Sequence, residues 1–182
     1  NLEKAEEYLQ KALAELGMTK DQIPAIGFLT DDTAERKLSA EAIQDMLYNN
    51  LGINLEITLV QSKNRYEMMK DGDFDIVWAG YSPDYNDPNS WLERLQSTSG
   101  LNDTRFADPE FDSLIAAAAK ETDGAARADL LVQAEKIMQD RGPLVPVYMK
   151  ASAWTKADYL EGMVFGVISD LEGNYIYADI VK

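Results

Sequence analysis

Between residues 25 and 60 the hydrophobic pattern changes period twice, and this restricts the fold more than any other feature of the chain. Ala25 to Thr30 is a short apolar run. After it, Leu38, Ala42, Ile43, Met46 and Leu47 recur at the three-to-four-residue spacing that places side chains on one face of a helix. Ile53, Leu55, Ile57 and Leu59 then alternate with Asn54, Glu56 and Thr58, the two-residue period of a half-buried strand. Strand, helix and strand in this order require a crossover, which makes the two strands parallel. The reading is an α/β fold with a mostly parallel central sheet flanked by helices.

The rest of the chain extends this pattern. Leu2, Ala5, Leu9, Ala12, Leu13 and Leu16 form the apolar face of an opening helix that Gly17 would close. Asp32 with Glu35 resembles a capping box, so Asp32 is expected to cap the second helix, which ends near Asn50. Ser62 is expected to cap a short helix carrying Tyr66 and Met69, and Asp71-Gly72 turns the chain into a third strand, Phe74 to Ala79. Gly80 to Arg105 is rich in Asn, Ser, Asp and aromatics, with a helical stretch only at Trp91 to Leu95. Asp108 as N-cap and Pro109 at the first helical position open a helix whose apolar face is Phe111, Leu114, Ile115 and Ala118. A further helix, about 124 to 140, stops at Gly142-Pro143. Tyr66, Met69 and Met138 lie on apolar helical faces and are expected in the core.

Helices then give way to strand-like runs at Leu144 to Met149, Ala151 to Trp154, Met163 to Val167 and Tyr175 to Val181. Pro146 marks the first as an edge strand, because proline has no N–H for a ladder. The expected division is therefore an α/β lobe over residues 1–148 and C-terminal strands over 149–182 that leave for a neighbouring sheet. Trp154 and Tyr177 fall in those strands, where they would face a cleft or pack a hinge.

Charge and composition narrow the function. The 182 residues hold 17 Lys and Arg against 32 Asp and Glu, a net charge of -15, which repels phosphate backbones, so no nucleic-acid partner is expected. With no Cys and no His, thiolate chemistry, disulfides, Ser-His triads and imidazole metal sites are excluded, and neither metal nor cofactor is expected. No run approaches the ~20 apolar residues that span a bilayer. The sequence opens at Asn1, already inside a helical pattern, which fits an excised or processed piece.

In open parallel sheets ligands bind beyond the carboxyl ends of the strands. The segment placed there is Trp78-Ala79-Gly80-Tyr81-Ser82-Pro83-Asp84-Tyr85-Asn86-Asp87-Pro88. A carboxylate walled by tyrosine rings suits an ammonium group, held by charge-assisted hydrogen bonds. The same residue types also build turns, so composition leaves both a ligand grip and a structural loop open. Two rival chemistries use other carboxylates. Asp31-Asp32 could hold Mg²⁺ in a receiver-like phospho-acceptor domain, which would also need a lysine that cannot be placed. Asp84 paired with Asp87 or Asp75 could serve a glycosidase. A calcium loop over Asp84-x-Asn86-x-Pro88 fails, because a proline stands at a ligand position and no closing Glu follows.

Gly80-Tyr81-Ser82-Pro83-Asp84-Tyr85-Asn86-Asp87-Pro88 resembles the G-W/Y-x-x-D-Y-x-D/E-P motif of the oligopeptide- and dipeptide-binding proteins of bacterial ABC importers, the solute-binding protein family 5. Leu16-Gly17, Gly72-Asp73-Phe74-Asp75, Phe106 to Ser113 and Pro143-Leu144-Val145-Pro146-Val147-Tyr148 are similar to the family as well, so the likeness runs over nearly the whole chain. The resemblance implies the C-terminal half of such a protein and a lobe of the type II periplasmic-binding-protein-like fold, with C-terminal strands returning to an N-terminal lobe that is missing.

The resemblance also implies roles. Asp84 would bind the α-ammonium of a captured peptide, Gly80 and Ser82 would pair with its backbone, and Tyr81 would wall the first pocket. Tyr85, Asn86 and Asp87 match the motif and either touch the ligand or fix the loop. Trp78 stands where some relatives carry an Arg for a peptide carboxylate, so no peptide length is implied. The implied partners are a peptide with a free N-terminal amine, the membrane subunits of an ABC importer and the missing lobe, in a monomer with no catalytic role. Its place would be the outer face of the cell membrane, lipid-anchored, or the periplasm. Relatives that bind a nickel chelate, glutathione or a sugar keep a non-peptide solute open. One lobe alone is expected to fold but to bind peptide weakly.

Overall fold

The computed structural model describes residues 1–149, 151, 155–164 and 177–181. The chain forms two compact units, Asn1–Gly80 and Tyr81–Lys182.

In the first unit, helix α1 (Leu2–Leu16) begins at the Asn1 side chain, which accepts from the Lys4 N–H, and ends at Gly17 with φ 63°. Strand β1 (Ile26–Asp31), helix α2 (Ala34–Leu51) and strand β2 (Leu55–Val60) build the expected parallel crossover, with Ile26 beside Leu55 and Asp31 beside Val60. Helix α3 (Ser62–Asp71) leads to strand β3 (Ile76–Val77), which pairs with the other edge of β1. The sheet order is β2-β1-β3, all parallel. Phe28, Ala40 and Leu55 form its core, and Ile43, Leu47, Ile57 and Trp78 pack against them.

Several local expectations shift here, each for a physical reason. The cap of α2 is Thr33, whose hydroxyl accepts from the Arg36 N–H at 3.3 Å. Asp32 is exposed and does not cap, because its N–H still donates to Val60 O at 2.9 Å and holds that residue in the sheet. Helix α2 buries Ala40 and Leu51 and half-buries Ile43 and Leu47, while Ala42 is exposed and Leu38 and Met46 are 70% and 56% exposed. Apolar residues ring more than half of that helix, and the face carrying Ala40, Ile43 and Leu47 is the one that packs against the sheet.

Helix α3 starts at Ser62, but Gln61 occupies the cap and no side chain bonds there. Met69 is buried as expected, whereas Tyr66 is 54% exposed beneath the Arg65 guanidinium, 4.3 Å from its ring centre. Strand β3 is shorter than Phe74 to Ala79. At its start the Gly27 N–H on β1 donates to the Asp75 side chain at 2.8 Å, so a carboxylate takes the place of ladder pairing.

The second unit holds helix α4 (Asn89–Leu92) with a 3₁₀ turn at Glu93–Leu95, helix α5 (Pro109–Ala118), helix α6 (Gly124–Arg141), and the antiparallel pair β4 (Leu160–Glu161) and β5 (Asp179–Ile180). Leu92, Leu95, Phe111, Ile115, Ala118, Leu131, Ala134 and Met138 are its core, with Phe106 edge-on to the fully buried Phe111. Asp108 caps α5 as expected, accepting from the N–H groups of Glu110 and Phe111, with Pro109 following it.

The run Leu144 to Met149 does not form a strand, and its side chains are exposed, Met149 by 90%. An extended apolar run becomes a strand only beside a partner edge. Trp154 with most of the run Ala151 to Trp154, residues 165–167 of the run Met163 to Val167 and residues 175–176 of the run Tyr175 to Val181 lie outside the described residues; the last run supplies β5, and Tyr177 is exposed. No described helix is long and apolar enough to cross a membrane.

Candidate functional site

The motif is divided between the two units, with Trp78 and Gly80 in the first and Tyr81 to Pro88 in the second. In the first, the Trp78 N–H continues the ladder to Leu29 O at 2.8 Å, and its carbonyl accepts from the Thr30 hydroxyl at 3.3 Å. The Arg36 guanidinium lies 5.8 Å from the Trp78 ring centre and against Gly80, where an added Cβ would sit 3.1 Å from Nη2. Arginine thus occupies the space that the small Gly80 leaves. Beneath the same strand ends, Asp31 is buried and accepts from Arg65 Nε at 2.7 Å, and Arg65 also touches Met69 Sδ. Asp31 is therefore spent on an internal ion pair, and Asp75 on the Gly27 N–H.

In the second unit, Asp84 lies on a groove of about 260 Å³ with Tyr81, Glu93, Arg94, Gln96, Ser99 and Leu101. The Tyr81 hydroxyl donates to Asp84 Oδ2 at 2.9 Å, and the Asp84 N–H donates to the hydroxyl of the buried Ser90 at 2.9 Å. Its other oxygen, Oδ1, bonds to no described residue, and the carboxylate is exposed to the groove's solvent. The Tyr81 ring is gripped from two directions: Trp91 meets it edge-on at 5.2 Å, and the Arg94 guanidinium lies 3.8 Å from its centre. Backbone and ring are thus both fixed, so the carboxylate has a defined position while one oxygen stays available.

The remaining motif residues mostly serve the loop. Asp87 accepts two parallel bonds of 2.8 Å from Arg127 and one of 2.8 Å from the Asn89 N–H. The Arg127 hydrogen bonds hold the Asp87 carboxyl below its ordinary range, and Asp87 in turn raises the Arg127 guanidinium. Burial, followed by the hydrogen bond to Glu93, pushes the Tyr85 hydroxyl up. Tyr85 also accepts from Asn89 at 3.3 Å. Ser82 and Asn86 are exposed. Among the described residues, no three carboxylates gather as a metal site would require.

Sequence reasoning missed Arg94, Trp91, Ser90 and Asn102. Asn102 belongs to a formal glycosylation sequon, yet its amide donates to Leu95 O, Gln96 O and Phe106 O while its oxygen accepts from Thr104. A lone Asn in a polar loop carries no local sign of such a role. For Arg94 and Trp91 a sign did exist: they fall three residues apart on the one helical stretch of the loop, the spacing that shares a face.

A parallel sheet whose last strand leads along the chain into an aromatic and acidic segment is the pattern of α/β ligand-binding lobes. Comparison specifies it. The sequence profile described as bacterial extracellular solute-binding proteins, family 5 (middle), matches residues 1–103. The chain is 35% identical over 164 residues to the oligopeptide-binding protein OppA of Bacillus subtilis (strain 168), which is 88% of this chain and 30% of that protein. It is 34% identical over 151 residues to the periplasmic oligopeptide-binding protein OppA of Escherichia coli (strain K12), covering 83% of this chain and 28% of that one.

A solved structure described as an oligopeptide ABC transporter (substrate-binding domain) from Bacillus anthracis str. Ames superimposes with a TM-score of 0.85 at 32% identity, over 100% of this chain and 35% of that one. The chain belongs to the bacterial extracellular solute-binding proteins of family 5, and its fold is of the type II periplasmic-binding-protein kind. It spans about 30% of the length of these curated relatives.

Proposed function

We propose that this chain supplies one wall of the ligand cleft of an extracellular peptide-binding protein that serves an ABC importer, and that Asp84 receives the ligand's free amino terminus. The observation that carries the reading is the Asp84 carboxylate, fixed by Tyr81 through one oxygen and by Ser90 through its backbone, with its second oxygen open on a groove. An ammonium has N–H donors for such an acceptor, and the charge on both partners strengthens the bond.

Tyr81 walls the first pocket, Gly80 and Ser82 lend backbone groups to an extended peptide, and Trp78 lines the strand end. Tyr85 and Asn86 border the ligand from the loop, while Asp87 holds the loop through Arg127. Two relatives whose names specify oligopeptides support peptide as the solute. In this reading residues 1–148 form the binding lobe and 149–182 run toward a second lobe, which closes over the ligand. The protein then acts as a monomer that hands peptide to the importer's membrane subunits, from a lipid anchor or from the periplasm, and catalyses nothing. One lobe by itself encloses half the ligand and binds it weakly.

Mass spectrometry of what co-purifies with the natural full-length protein and with its Asp84→Ala variant tests this. Peptides with free amino termini are expected from the former and not from the latter. A nickel chelate, glutathione or a sugar in their place, or the same peptides from Asp84→Ala, would overturn it.

A further inference from the structure

In a chain with 32 carboxylates and 17 basic side chains, a half-buried guanidinium has ample choice of acidic partner. Arg65 and Arg127 each take one, pairing with Asp31 and Asp87. Two half-buried arginines, Arg36 over Trp78 and Arg94 over Tyr81, take an aromatic ring instead. Of these, Arg94 borders the groove that holds Asp84; it lies 3.8 Å from the Tyr81 ring centre and makes no ion pair or side-chain hydrogen bond among the described residues.

We propose that Arg94 is a specificity residue of the same groove, taking a ligand carboxylate that lies close to the ligand's amino group. This rests on the reading that Asp84 holds that amino group. Tyr81 ties the two charges together, since its hydroxyl holds Asp84 and its ring carries Arg94. A guanidinium stacked on a ring spends its flat face and keeps its edge N–H groups, and those edges match a carboxylate in a bidentate fork. The groove's third charge, Glu93, is engaged elsewhere: it accepts from Asn89 Nδ2 at 2.9 Å.

Because Asp84 and Arg94 share a single tyrosine, the ligand's anion must lie near its amine. Two sources meet that requirement, the side chain of an acidic residue at the amino end of a peptide and the C-terminal carboxylate of a dipeptide.

Calorimetry on the natural full-length protein separates them. The probes are Glu-Ala-Ala-amide, Gln-Ala-Ala-amide and Ala-Ala-Ala-amide, together with Ala-Ala as free acid and as amide. At pH 7.5 at least one acid is expected to bind about tenfold tighter than its neutral counterpart, a difference of ~1.4 kcal/mol. The Glu peptide over the Gln peptide identifies a side-chain carboxylate; Ala-Ala acid over its amide identifies the ligand's C-terminus. Arg94→Gln should erase the preference between each acid and its neutral counterpart, and Arg94→Lys should keep part of it.

A wild-type protein that binds the acids and their neutral counterparts equally would overturn the proposal without recourse to any variant, as would a preference that survives Arg94→Gln. Asp84→Asn distinguishes the underlying reading. It should weaken every free-amine probe alike, and if it weakens none, the amine assignment fails while the acid preference and its loss in Arg94→Gln are still read independently.

Discussion

Arg127, in the first turns of α6, grips Asp87 with two parallel hydrogen bonds of 2.8 Å, and so fastens the motif loop to the helical core of its unit. Those bonds hold the Asp87 carboxyl below its ordinary value in the folded chain. Folding therefore favours the ionised form. The contribution is complete above about pH 5, where the unfolded carboxyl is also ionised, and fades as pH falls through the lower folded value. Asp87→Asn should lower Tm by a few degrees at pH 7, and the gap between variant and wild type should close as thermal scans are taken down toward pH 2. A gap of constant size would show that charge is not what the pair contributes.

The buried pair of Arg65 and Asp31 predicts an asymmetry. Arg65→Met leaves a buried carboxylate without its partner and should cost about 3–5 kcal/mol in denaturant unfolding. The double variant Arg65→Met with Asp31→Leu should recover most of that loss, because no buried charge is then left alone.

Thr33 rather than Asp32 caps α2, and the two residues can be told apart directly. Thr33→Ala should destabilise the chain by about 1 kcal/mol, whereas Asp32→Ala should leave urea midpoints almost unchanged.

Asn102 satisfies three backbone carbonyls with one amide nitrogen, at 3.2, 3.2 and 2.7 Å. Asn102→Asp keeps the shape and turns the donor into an acceptor facing those oxygens. A loss of about 1–3 kcal/mol is expected, with faster hydrogen exchange confined to the loop from Ser97 to Phe106.

The parallel crossover was legible because it rests on period: the alternation reads as a strand, found at Leu55–Val60, and a helix between two strands returns the chain in parallel by default. Caps that depend on one local side chain, Asp108 and Gly17, were legible for the same reason. What could not be read depends on distant partners. Which face of α2 packs is decided by contacts with the sheet, which bury Ala40 and leave the equally small Ala42 exposed, and Leu144 to Met149 does not form the strand that its composition suggests. In the loop, order along the chain singled out Asp84 and Tyr81. The same order could not show that Asp87 is committed to Arg127, 40 residues on, or that Arg94 covers Tyr81.

The central claim is that Asp84 recognises a ligand's positive terminus, and binding of Ala-Ala-Ala set against N-acetyl-Ala-Ala-Ala addresses it most directly, measured by calorimetry on the full-length protein and its Asp84→Asn variant. The account predicts that the wild type favours the free amine by roughly ten- to a hundredfold, the worth of a charge-assisted hydrogen bond, and that the variant binds both peptides alike. Equal binding of the two peptides by the wild type, or an undiminished preference in Asp84→Asn, would contradict it.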